Sequence, residues 1–84
     1  MDRKRIAQII RTTRHGHKLS QSEFATALSF HLPKKIKKQD ISKWENDRTS
    51  PEYWLVYALC TVRNGAPQPW VITMAKEIFD LMNY

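Results

Sequence analysis

Apolar residues recur along this chain at intervals of three and four, the spacing of one face of an α-helix. Ile6, Ile9, Ile10 and Thr13 share a face of a first helix over about residues 2–14. Gly16, which takes positive φ most readily, is expected to end it. Ser20 and Glu23 stand in capping-box positions, so a second helix should begin near Gln21 and bury Phe24, Ala27 and Leu28, with Leu32 extending that face and Pro33 stopping it. A third helix over about 37–46 turns Ile41 and Trp44 inward. Ser50, Pro51 and Glu52 read as cap, first helical position and dipole-favoured acid of a fourth helix. That helix should run to about Arg63 and bury Trp54, Leu55, Ala58, Leu59 and Val62. Asn64-Gly65 breaks it, and 66–69 is a stiff connector. A fifth helix lies within 69–83, from Trp70 to about Met82. No segment alternates apolar and polar residues as a strand does. The expected fold is all-α, with five helices in one domain over residues 1–84.

The fifth helix is apolar over more than one face. Part of it should cover the chain's own core. Part should pair with a second copy, through Val71, Met74, Ala75, Ile78 and Met82.

Composition narrows the class of protein. An 84-residue chain fits one small domain with a thin core. No apolar run is long enough to span a bilayer, and no secretory leader is visible, so no membrane partner is expected. The single Cys60 suits a reducing cytoplasm. His15, His17, His31 and Cys60 lack the paired spacing of a metal site. Ser20 and Ser22 have no neighbouring His base, and two glycines cannot build a phosphate-binding loop. The expectation is therefore no enzyme, no cofactor, no metal and no small-molecule ligand.

Charge adds a direction. Residues 1–48 hold twelve Lys/Arg against five Asp/Glu, while residues 49–84 hold two against three. The first half is therefore +7 and the second −1. A basic front and a neutral back suit a polyanion on one side and protein on the other. Trp44 could stack on single-stranded bases, but its spacing from Ile41 assigns it to the core. The cluster "KKIKK" could be a solvated face or an import signal; beside the third helix, phosphate contact is the better reading. A helix in the DNA major groove needs a buried inner face and flat hydrogen-bonding side chains outside. Ile41 and Trp44 supply the first, and Lys38, Gln39, Ser42 and Lys43 the second. Gln matches the N6/N7 edge of adenine, and Lys reaches O6/N7 of guanine.

The strings "LSQSEFATAL" at 19–28 and "ISKWENDRTSP" at 41–51 resemble the phage-repressor/Cro-type helix-turn-helix family, also called the XRE or lambda-repressor-like family. The resemblance covers about residues 4–63. It implies base contacts at Lys38, Gln39, Ser42 and Lys43, and phosphate contacts at Gln21, Lys34, Lys35, Lys37, Asn46 and Arg48. It also implies a structural ion pair between Arg14 and Glu45. The interval from Leu28 to Ile41 is thirteen residues, about six longer than the family pattern. Either the second helix runs a turn further before Pro33, or the turn becomes a basic loop. The expected function is that of a cytoplasmic, sequence-specific regulator binding double-stranded DNA as a homodimer and acting by operator occupancy. The alternative is an interaction module, such as an antitoxin or anti-activator, that uses its C-terminal helix as partner surface.

Overall fold

The computed structural model describes residues 2–61 and 69–83. Five α-helices and no strand are present among them: α1 Arg3–Gly16, α2 Gln21–Ser29, α3 Lys38–Glu45, α4 Tyr53–Cys60 and α5 Pro69–Met82. The expected burial of Val62, the end of the fourth helix near Arg63, the Asn64-Gly65 break and residues 66–68 of the connector lie outside the described residues.

Local chemistry sets the helix ends. The Asp2 carboxylate accepts from the Arg5 amide at 3.0 Å and caps α1. At α2 the Ser20 hydroxyl accepts from the Glu23 amide at 3.0 Å. The Glu23 carboxylate in turn accepts from the Ser20 amide at 2.8 Å. These bonds satisfy two donors that the helix leaves orphaned. They hold the Glu23 carboxyl below its ordinary pKa. At α3 the Asp40 carboxylate accepts from the Lys37 amide at 2.9 Å.

Gly16 does not take the left-handed position expected of it. It stays inside α1, and Lys18 carries φ 56° instead. The Lys18 amide donates to the His15 carbonyl at 3.0 Å and the Leu19 amide to the Arg14 carbonyl at 3.2 Å. That is the bond pair of a Schellman ending, in which the left-handed residue follows the cap, here His17. α3 closes the same way around Asp47, at φ 58°. The Asp47 amide donates to the Trp44 carbonyl at 3.3 Å and the Arg48 amide to the Lys43 carbonyl at 2.9 Å. A Cβ at Gly16 would meet nothing within 4 Å. Gly16→Ala is therefore expected to stabilise the fold by about 0.5–1 kcal/mol. Relief of the left-handed strain should make Lys18→Gly stabilising as well. Thermal unfolding of both variants checks the assignment; a destabilised Gly16→Ala would return the left-handed position to Gly16.

The expected start of α4 also shifts. Ser50 does not cap it; Glu52 is the cap residue, and its carbonyl accepts from the amides of Leu55 at 3.0 Å and Val56 at 3.1 Å. Pro51 is buried ahead of the helix rather than in its first turn. The helix turns Leu55, Val56 and Leu59 inward. That phase places Trp54, expected in the core, at the rim with 41% exposure. Its indole N–H donates to Glu52 Oε2 at 2.9 Å. Ala58 is half-buried.

The core joins all five helices. Ile6 and Ile10 of α1, Phe24 and Leu28 of α2, Ile41 and Trp44 of α3, and the α4 residues named above meet Val71, Met74, Ala75 and Ile78 of α5. Ile9, Leu32 and Met82 pack around it half-buried. This corrects the expected dimerisation stripe. Val71, Met74, Ala75 and Ile78 are at most 3% exposed, so the chain's own core occupies them. α5 packs chiefly against α4 and then α1, and covers a core too thin to close without it. No helix among the described residues is long and apolar enough to cross a membrane.

Candidate nucleic-acid interface

α3 is buried on one side and open on the other. Ile41 is 0% and Trp44 7% exposed, which fixes the rotation of the helix about its axis. Gln39, Ser42, Lys43 and Asn46 then fall at i, i+3, i+4 and i+7 on the outer side. Gln39, Lys43 and Asn46 are exposed and Ser42 is half-buried. Lys38 is exposed in the first turn, beside Lys37 at the cap. The groups expected to meet bases thus share the outer side and the N-terminal end of one short helix.

An ion pair secures the far end. Arg14 Nε donates to Glu45 Oε2 at 2.6 Å, and its Nη2 donates to Oε1 at 2.9 Å. Its Nη1 donates to the Leu19 carbonyl at 3.0 Å. Glu45 is buried, and its hydrogen bond raises the Arg14 pKa above the ordinary value. The fork ties α1 to α3 in the two-pronged geometry that favours Arg over Lys. The Arg11 Nη2 donates to the Glu45 carbonyl at 3.4 Å, a contact the sequence did not signal.

Two expected phosphate donors are turned inward. Gln21 is half-buried, and its Nε2 donates to Glu45 Oε1 at 3.4 Å, so it buttresses the ion pair. The Asn46 amide donates to the Ser42 carbonyl at 2.7 Å and to Ser42 Oγ at 3.4 Å. Both of its donors face its own helix, which leaves an acceptor oxygen that suits no phosphate. Lys35, Lys37 and Arg48 remain exposed. Lys34 is exposed too; its Nζ lies 3.9 Å from Glu52 Oε1 in a loose pair open to solvent. Lys4 and Arg11 extend the basic surface along α1, bordering an open hollow with Asn46 and Asp47.

The lengthened turn is a basic loop, because α2 stops at Ser29. The Ser29 hydroxyl accepts from the Ile36 amide at 2.7 Å. Its proton faces the Ala25 carbonyl at 2.7 Å and the Ile36 carbonyl at 3.2 Å. Ile36, the middle of "KKIKK", is 3% exposed and enters the core. One serine and one isoleucine therefore close the loop at its base and leave its lysines outside. The sequence reading missed both; the lone apolar residue between two lysine pairs was the available signal.

Two surfaces stand apart. Tyr53, Trp54 and Tyr57 of α4 are 52%, 41% and 54% exposed, with Tyr53 and Tyr57 ring centroids 5.3 Å and 6.0 Å from that of Phe79. Phe30, at the start of the loop, is 73% exposed. Burial pushes the Cys60 thiol pKa up, which leaves it protonated near neutral pH. No three His, Cys, Asp or Glu side chains converge among the described residues. Comparison with family models, with curated proteins and with solved structures finds no match to this chain.

Proposed function

We propose that the chain is a regulator of the phage-repressor/Cro helix-turn-helix type, which binds double-stranded DNA in the cytoplasm and acts by occupying an operator as a dimer. The observation that carries the reading is the two-sided α3: Ile41 and Trp44 buried, Gln39 and Lys43 opposite them and open. An α-helix fits the major groove of B-DNA, where amide and ammonium side chains distinguish base pairs. The A-form major groove of RNA is too narrow for it, which disfavours an RNA partner. In this reading Lys38, Gln39, Ser42 and Lys43 select the sequence. Lys34, Lys35, Lys37 and Arg48 hold phosphates, and the Arg14–Glu45 fork sets the angle of the helix.

A two-fold operator requires a second copy, and α5 cannot supply the contact with its buried stripe. The reading places that contact on the aromatic side of α4. Residues 49–84 carry a net −1, so two copies meeting there do not repel as their basic halves would. The same aromatic surface is what favours the second reading, an antitoxin-like or anti-activator-like module that binds another protein.

Selection of bound sequences from a random duplex pool tests the proposal. A regulator yields a motif, and two-fold symmetry in it marks two subunits. An interaction module yields none. On the selected duplex, Gln39→Ala is expected to cost about 1–3 kcal/mol of binding while leaving affinity for random DNA nearly intact. Equal losses on both duplexes in a fluorescence-anisotropy titration would refute the base-contact role of Gln39.

A further inference from the structure

We propose that Phe30 is a base-contacting side chain, held outward by the closed loop so that its ring meets an apolar surface of the duplex. The inference rests on the duplex-binding reading above.

Phe30 is 73% exposed, the most exposed large apolar side chain among the described residues. A small domain gains from burying such a ring, and Phe24, one turn and a half earlier, is fully buried. The loop does not leave Phe30 outside for want of anchors. The Phe30 amide donates to the Thr26 carbonyl at 3.1 Å. Ser29 bonds both backbone groups of Ile36, and Ile36 itself is in the core. The ring stands edge-on to that of His31, with centroids 5.4 Å apart and planes at 80°. Its exposure is thus a property of an anchored segment.

The surroundings specify the partner. From Phe24 to Gln39 the chain holds four lysines and no acid. A surface that suits both these cations and a bare ring must offer anions beside apolar faces. Duplex DNA offers both: phosphates flank the groove, and thymine methyls or opened base steps lie within it. The loop also leads directly into Lys38 and Gln39, which puts the ring on the approach to the same groove.

The test titrates the full chain and its Phe30→Ala and Phe30→Tyr variants against the selected duplex. Phe30→Ala is expected to weaken binding roughly tenfold, with the salt slope and the thermal midpoint unchanged, because the lost group is neutral and exposed. Phe30→Tyr should restore most of the affinity. Two arms distinguish the apolar sources. If the ring meets a methyl, replacing thymine by uracil weakens the unsubstituted chain and not Phe30→Ala. If it enters an opened step, 2-aminopurine fluorescence rises on binding of the unsubstituted chain and not of Phe30→Ala. Unchanged affinity in Phe30→Ala, or silence in both arms, overturns the inference while leaving duplex binding in place. A loss of affinity with loss of the dimer in sedimentation assigns the ring to a subunit contact and likewise overturns it. If the unsubstituted chain fails to bind any duplex, the functional reading falls and the inference with it.

Discussion

Glu45→Ala is expected to destabilise the fold by about 3–5 kcal/mol, the range found when one partner of a buried ion pair is removed. The side chains of Arg14 and Glu45 are 14% and 6% exposed, and two short bonds join them. Removing the carboxylate strands a guanidinium inside the junction of α1 and α3 and deprives Gln21 of its acceptor. Against a typical total of about 5–15 kcal/mol, such a loss would unfold a large fraction of the molecules on modest heating. Replacing both partners by apolar residues, Arg14→Met with Glu45→Leu, should recover most of it, because no charge is then left buried. Urea denaturation of the three variants decides. An effect of Glu45→Ala below about 1 kcal/mol would mean that water screens the pair as it screens surface pairs.

The largest functional effect is expected from the loop and the start of α3. Changing Lys34, Lys35, Lys37 and Lys38 to Gln should lower affinity for random duplex by about two to three orders of magnitude near 0.1 M salt. The slope of log affinity against log salt should flatten by about 3–4, because each lost phosphate contact removes about 0.9. All four side chains are exposed, and the Lys34–Glu52 contact at 3.9 Å is worth little in solvent. The folded state should therefore be unaffected, which far-UV circular dichroism verifies. An unchanged slope would remove these lysines from any phosphate interface.

What the sequence disclosed and what it hid divide by range. The capping box at Ser20 and Glu23, the inward pair Ile41 and Trp44, and the existence of all five helices follow from residues within four positions of one another. Such signals survive whatever the rest of the chain does. The errors arise where distant packing chooses between local options. Gly16 and Lys18 are two residues apart, and the turn into Leu19 decided which would take positive φ. Trp54 looked like core until Leu55, Val56 and Leu59 fixed the phase of α4. The apolar positions of α5 were identified correctly, but whether they face their own core or a partner depends on α1 and α4. For the candidate site, the Arg14–Glu45 pair came from family resemblance, and the exposure of Gln39 and Lys43 from helical phase. The inward turns of Gln21 and Asn46 followed from neither, since a side-chain amide near two acceptors is committed only by geometry.

The central claim is that α3 presents its open side to duplex DNA. It is tested most directly by titrating the full chain with a random duplex in dilute buffer and again at moderate salt. The account predicts binding in dilute buffer that weakens steeply as salt rises, in proportion to the phosphates engaged. Failure to bind duplex DNA in dilute buffer would contradict it.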